Sequence, residues 1–387
     1  MPGRRELLLV AASIIFAGAI AEIGLRLAGV SYPIFHRLET LRGWSPQPGI
    51  SGLWMTEGEA YIENNDEGFR DRNHTVDKPA GTFRIAVIGD SMSEALAVPI
   101  EKTYPSILER ELSTCRGKNV EVLNFSVSGY GTAQQLLTLR QNVLKYKPDV
   151  VLLAFFTGND VWNNERALDG HEDRVYFVLD NGTLKLDDSN TQTNRFKTKM
   201  VWRGAINTMV NGSRLFQLTR EFYTRTKLML RSKKQTEAMV FDPASRDYEV
   251  FKPPISQEWK RAWATTEAIL IAMRDQARKK DAVFWIANLV APAQVYPDRK
   301  IRQEFARALN VSDLDYPDRR IADFAKQNGI SAVTLLGPLR NHADKNNTYL
   351  HGFKNTRLGT GHWNETGHRI AGQYLGEALC GAVAPKQ

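Results

Sequence analysis

Between residues 83 and 336, five apolar runs of five to seven residues alternate with stretches of helical periodicity. The runs are Phe83 to Ile88, Val120 to Phe125, Val150 to Phe156, Ala282 to Ala287 and Ala332 to Leu336. Between them, apolar residues recur at helical spacing: Tyr104, Ile107, Leu108 and Leu112; Leu136, Leu137, Val143 and Leu144; Trp259, Trp263, Leu270, Met273 and Ala277. Parallel strands need crossover connections, and helices lying over both faces leave the strands apolar throughout. The alternation therefore predicts an α/β chain with three layers, α/β/α, around a five-stranded parallel sheet. At 387 residues and 42% hydrophobic composition, the chain is long enough for one such domain and an elaboration.

The elaboration is placed by a gap. Residues 161 to about 255 are too many for one crossover and are expected to form an insertion. It opens with Val175 to Leu179 and Leu184 to Leu186 around Asp180-Asn181-Gly182, a β-hairpin signal, and continues into a helix from Arg214 to Leu230. Leu215, Leu218, Phe222 and Met229 fall on one side of that helix, and Arg214, Arg220, Arg225, Lys227 and Arg231 on the other. From Arg195 to Lys234 eleven Lys or Arg face one acid, Glu221, so this strip accounts for the +8 net charge of the chain. A solvated outer helix face, an anionic membrane surface and an anionic polymer site are the readings open for the strip. No aromatic interleaving suggests base stacking, and no nucleic acid is expected.

The first thirty residues read as a membrane anchor or signal segment. Arg4 and Arg5 precede the apolar run Leu7 to Ala21, which spans roughly 22 Å as a helix, short of a bilayer core of about 30 Å. The pattern continues through Ile23, Leu25, Leu27, Ala28 and Val30, past Glu22 and Arg26, which can pair at i, i+4. This favours an uncleaved transmembrane helix over a signal cut after Ala21, with the N-terminus cytoplasmic and the rest outside. Residues 31 to 80, rich in Pro and Gly turns and carrying a GFR triplet at Gly68 to Arg70, read as a connector lying along the main domain of residues 81 to 387.

Chemistry gathers where strands end. Gly89-Asp90-Ser91 follows the first run, which puts a hydroxyl at the carboxyl end of a strand, where reacting groups of open sheets collect. A lone serine there is most often a helix cap. Three further segments accompany it: Asn124 to Thr132 (NFSVSGYGT) after the second run, Thr157 to Asp160 (TGND) after the third, and Gly361 to His368 (GHWNETGH) near the last helix. A serine needs a base within hydrogen-bond reach, and a tetrahedral intermediate needs preorganised donors. Asp90 and Asp160 beside tight turns are expected to accept loop N–H bonds. No histidine shows metal-ligand spacing, and no cofactor or metal is called for.

Taken in order, these four blocks resemble the SGNH, or GDSL, hydrolase superfamily of serine esterases and acyltransferases, over roughly residues 80 to 380. The resemblance implies a flavodoxin-like sheet, Ser91 as nucleophile, His362 as base, and an oxyanion hole made by the N–H groups of Ser91 and Gly129 and the amide of Asn159. It further implies that the helices ending in Cys115 and Cys380 share a face, where a disulfide can form. His368 is the competing base, with a structural role in the last helix the favoured alternative. One position departs from the pattern. The family places an Asp three residues before its histidine, and Gly359 stands there. A Ser-His dyad held by a carbonyl or water, an acid from elsewhere, or a degenerate site are the open arrangements, in that order. If the site is a true dyad, Gly359→Asp is expected to raise its rate.

The function expected is an extracytoplasmic serine ester hydrolase working through an acyl-enzyme, removing acetyl groups from an envelope glycan or cleaving another ester. An O-acyltransferase and a catalytically silent envelope-binding or assembly protein of the same fold are the alternatives. The expected location is the cytoplasmic membrane, single-pass, with the main domain periplasmic in a Gram-negative cell. The expected partners are an ester or acylated glycan, the membrane through the N-terminal helix, and an anionic surface or polymer at residues 195–234.

Overall fold

The computed structural model describes residues 3–116, 119–232 and 240–382. Helix α1 (Arg4–Leu27) comes first, with no buried residue. The connector follows as two antiparallel pairs, β1 (His36–Glu39) with β2 (Gly43–Pro46) and β3 (Ser51–Trp54) with β4 (Ala60–Glu63). Next come β5 (Phe83–Ile88), the one-turn helix α2 (Ser91–Glu94), α3 (Tyr104–Arg116), β6 (Val120–Asn124), α4 (Thr132–Thr138) and β7 (Val150–Phe156). The insertion holds α5 (Arg166–Asp169), the hairpin β8 (Tyr176–Asp180) and β9 (Thr183–Asp187), α6 (Ser189–Gln192), α7 (Asn194–Gly212) and α8 (Arg214–Ser232). The chain then returns through α9 (Gln257–Arg278), β10 (Val283–Leu289), α10 (Arg299–Ala308), α11 (Tyr316–Gln327), β11 (Ser331–Thr334), α12 (Leu336–Asn346) and α13 (Glu365–Ala382).

The five expected runs form one parallel sheet in the order β11-β10-β7-β5-β6. Alternate side chains serve opposite faces, as a period of two requires. Ile85, Val87 and Leu152 pack under α3, α12 and α13, while Ala86, Ile88, Val151 and Leu153 pack under α4, α9 and α11. The last strand stops at Thr334 rather than Leu336, because Leu336 and Leu339 turn inward as the first residues of α12. A bond between Cys115 and Cys380 ties α3 to α13. The switch in strand order lies at β5, with β6 on one side and β7 on the other, so the loops after these strands open on one crevice.

The connector is packed, not draped. Phe35, Ala60 and Ile62 form a small core with Leu96, Phe69 enters the α9 side of the main core, and buried Arg70 donates to the carbonyls of Glu94 and Val98 just after the turn at Ser91. In the insertion, the β8–β9 hairpin turns on Asn181 and Gly182, both at positive φ (49° and 76°) as a tight two-residue hairpin needs. Helix α8 overturns one expectation. Three arginines of its charged side face the body, while Lys227 is exposed: Arg214 bonds Ser31 and Gln217, Arg220 the carbonyls of Tyr32 and Pro33, and Arg225 Glu221 and Met55. These three arginines are not a solvated outer face, because the connector backbone and Glu221 offer them acceptors. Of the basic strip, Lys233, Lys234 and the side chain of Arg231 lie outside the described residues, as does the side chain of Met229.

Candidate active site

The turn from β5 into α2 presents Ser91. Asp90 caps α2 by accepting the Met92 N–H at 2.9 Å, and a Cβ on Gly89 would lie 2.7 Å from the Ser93 hydroxyl and 3.1 Å from Ala154. The turn is therefore tight, and Ser91 stays partly accessible between buried Asp90 and Met92. Its Oγ lies 2.8 Å from His362 Nε2.

The far side of His362 meets an acid that nothing in the motif blocks indicated. Glu57, in the turn between β3 and β4, places Oε2 2.5 Å from Nδ1 and accepts the His362 backbone N–H through Oε1 at 2.8 Å. This contact assigns the tautomer with Nδ1 protonated and Nε2 free to accept from Ser91. The bare dyad ranked first from sequence is not what folds; the third group comes from elsewhere in the chain. Gly359 sits at φ +79°, with its missing Cβ position 2.3 Å from the Tyr296 ring, so the loop has no room for the family's Asp. The Glu57 turn is pinned by Asn355, whose Oδ1 accepts from Gly58 N (2.9 Å) and whose Nδ2 donates to the carbonyls of Gly58 (2.9 Å) and Met55 (3.2 Å).

The proposed oxyanion donors sit on the loops after β5, β6 and β7. The β6 loop is tied to the nucleophile turn through Val127 N to Gly89 O (3.2 Å) and Asn124 Nδ2 to Ser93 O (2.9 Å). Buried Glu94 accepts the Ser128 N–H at 2.6 Å and pairs with His36 Nε2 at 3.0 Å. Gly129 adopts φ +80° beneath Trp44, whose indole N–H donates to Ser128 O at 3.0 Å. Arg174 donates to Gly129 O at 2.9 Å and Tyr130 N donates to Val127 O at 3.1 Å, so the peptide that follows Gly129 is held at both ends. Asn159 Nδ2 donates to Asp90 Oδ2 at 2.9 Å, which leaves one amide hydrogen for a ligand.

The ionisation pattern suits proton transfer. Burial acts most strongly on His362 and favours its neutral form, yet the Glu57 hydrogen bond and the charges of Glu57, Asp90 and Glu94 outweigh it and hold the imidazole above its ordinary 6.5. Burial works against the Glu57 carboxylate too, and its bonds to His362 bring it below 4.5. Asp90 and Asp160 accept backbone N–H bonds, but from residues inside elements and not from loops: Met92 in α2 and Phe156 at the end of β7. Both are raised, burial being the leading cause. His368 accepts the Tyr104 N–H through Nδ1 at 3.3 Å, stacks on that ring, and is pushed down to about 3 by burial. It is built into the α3–α13 contact.

A profile of the GDSL-like Lipase/Acylhydrolase family matches residues 87–370. An arylesterase from Vibrio mimicus is 40% identical over 70 residues, which is 18% of this chain and 34% of that protein, so the chain matches about a third of that relative's length. Among solved structures, an acetyl-xylooligosaccharide esterase from Geobacillus Stearmophilus aligns at 12% identity and a TM-score of 0.40, covering 77% of this chain and 94% of that one. An acetyl xylan esterase, AlAXEase, aligns at 14% identity and a TM-score of 0.39, covering 78% and 100%.

Proposed function

The chain belongs to the GDSL-like lipase/acylhydrolase family of esterases, and from that premise we propose that Ser91, His362 and Glu57 form the catalytic triad of an extracytoplasmic ester hydrolase. The observation that carries the proposal is the unbroken line Ser91 Oγ, His362 Nε2, His362 Nδ1, Glu57 Oε2. His362 takes the Ser91 proton as Oγ bonds to the ester carbonyl carbon. The new oxyanion is met by the N–H groups of Ser91 and Gly129 and the amide of Asn159, each such donor being worth about 3–4 kcal/mol in the transition state. The C–O bond to the alcohol then breaks, and the imidazolium gives the leaving oxygen its proton. Water repeats the sequence on the acyl-enzyme, with His362 as base, and frees the acid. Glu57 keeps the ring oriented and stabilises the imidazolium without itself taking the proton.

The substrate class we favour is an acetylated envelope glycan. The half-buried Trp44 indole lies against Gly129, and an aromatic ring beside that loop suits a sugar substrate. An O-acyltransferase would use the same residues with a sugar hydroxyl in place of water. Gly359 encourages the reading of a silent relative, and the contact of Glu57 with His362 supports an active site instead. For location, we propose that α1 is an uncleaved single-pass anchor in the cytoplasmic membrane, residues 31–80 the connector and 81–387 the catalytic domain, with the insertion at about 161–255. Helix α1 is long and apolar enough to cross a bilayer, and the Cys115–Cys380 bond fits an oxidising compartment outside the cytosol.

The test is turnover of a short-chain p-nitrophenyl ester and acetate release from an O-acetylated polysaccharide by the full chain in detergent. Ser91→Ala and His362→Ala are expected to abolish both. Absence of turnover together with absence of fluorophosphonate labelling at Ser91 would overturn the reading. Labelling and p-nitrophenyl ester turnover without acetate release would remove only the glycan.

A further inference from the structure

Helices α7 and α8 turn much of their apolar surface outward. Toward the body, beside the buried Phe196 and Val210 of α7, they present polar groups: Asn207 Nδ2 donates to His36 O, Asn211 brackets Ile34 N and O, and Gln217, with none of its surface exposed, accepts from Tyr32 N. Glu221 is likewise buried. Away from the body they present Val201, Trp202 (67% exposed), Ile206 and Met209 on α7, and Leu215, Phe216, Phe222 (73%) and Tyr223 on α8. In water this orientation is the unfavourable one, since an amphipathic helix normally turns its apolar stripe inward. A contiguous apolar face on two adjoining helices marks a contact with another apolar phase.

What that phase is follows from α1. The turn between α7 and α8 is fastened to the last turn of α1: Glu22 accepts from the Ser213 hydroxyl (2.9 Å), Arg214 N (2.9 Å) and Leu215 N (3.0 Å), and Arg26 donates to Gly212 O (2.7 Å). The apolar face of the hairpin thus begins where the apolar surface of α1 ends. Exposed Lys197, Arg203 and Lys227, none ion-paired among the described residues, lie on the same two helices, and Trp202 and Tyr223 are side chains suited to the headgroup region. We propose that the outward face of α7–α8 is a bilayer-contact surface, laid into the outer leaflet of the membrane that α1 spans, with its free cations meeting anionic lipid headgroups. The inference rests on α1 being an uncleaved anchor.

The experiment is spin-label accessibility on the full chain reconstituted in vesicles of equal phosphatidylcholine and phosphatidylglycerol. Both native cysteines are bonded to each other, so Phe222→Cys, Val201→Cys, Ile15→Cys and Lys326→Cys each add a single free thiol at an exposed position. Retained ester turnover confirms that each variant folds. The expected result is a severalfold larger ratio of oxygen to water-soluble nickel collisions at 222, 201 and 15 than at 326, on α11. Lipid exposure at 15 with water exposure at 222 and 201 overturns the hairpin surface and leaves the anchor standing. Water exposure at 15, or a mature chain lacking it by intact mass, overturns the anchor and the inference with it. Shielding of 222 and 201 from both probes means that a protein, a second copy or another chain, covers the face, and overturns a lipid contact.

Discussion

Glu57 reaches His362 across 305 positions of sequence, and its removal separates two effects that a nearer acid would leave entangled. Because His362 must be neutral to accept the Ser91 proton, kcat/KM should rise with pH along a limb centred above 6.5, held there by Glu57 against the opposing pull of burial. Glu57→Gln takes away the carboxylate, so that limb moves to lower pH while kcat falls by about 10²–10⁴-fold; a pH–rate profile of the two proteins reads both. Asn159→Ala should lower kcat about 10²–10³-fold with a smaller shift of the limb than Glu57→Gln gives, since it removes a proposed donor to the oxyanion and touches the ring only through the charge of Asp90. Gly359→Asp will not restore a lost acid. Its φ of +79° and the Tyr296 ring at 2.3 Å from the built Cβ make it destabilising by about 1–3 kcal/mol, measurable by chemical denaturation. Of the candidate residues, Ser91, Gly129, Asn159 and His362 are legible in the sequence because each sits in a short block beside a strand or helix end. Glu57 was not, since it stands in a turn among other acids, Glu59 and Glu63, and no local pattern ranks one carboxylate above another. The only available sign was Gly359 itself, a vacancy that required some acid from outside the loop.

At the scale of elements, the connector acts as a second wall of the site. Asn355 holds the Glu57 turn to the His362 loop without touching either reacting group. Asn355→Ala should therefore lower kcat with KM unchanged, by less than Glu57→Gln does, in steady-state kinetics with the p-nitrophenyl ester. A second clamp, His36 to Glu94, joins β1 to the nucleophile turn. Burial works most strongly against the His36 charge, yet Glu94 holds its pKa above 6.5, so the clamp stabilises fully below 6.5 and weakens as pH rises through the folded value. Thermal midpoints should accordingly fall more between pH 6 and pH 8 in the wild type than in His36→Gln, whose amide does not titrate. The five strands of the parallel sheet and the crossover helices α3, α4 and α9 are readable from periodicity, because burial on both faces writes near-continuous apolar runs, whereas α10, α11 and the short connector strands β1–β4 are not. The apolar stripe of α8 was equally readable, but not its direction. Periodicity says that a face is apolar, whereas the acceptors that turned Arg220 and Arg225 inward belong to residues 32, 33, 55 and 221.

For the whole molecule, the Cys115–Cys380 bond closes a loop of 265 residues around most of the catalytic domain. Paired replacement by serine should cost about 2–5 kcal/mol of stability, read as a lower unfolding midpoint that matches the wild type under reductant. Deleting residues 1–80 would leave every strand of the five-stranded sheet in place and still remove Glu57, so loss of turnover in such a truncation would say nothing about Ser91. The wide separation of acid and base also sets a schedule for synthesis. Ribosomes deliver about 5–20 residues per second, so Glu57 and Ser91 emerge well before His362, by roughly 15–60 s in the case of the acid. Through that interval the serine is present but inert. It gains a base only when the last few dozen residues leave the exit tunnel and α13 docks on α3, which means that a chain stalled or clipped before His362 holds the serine without its base.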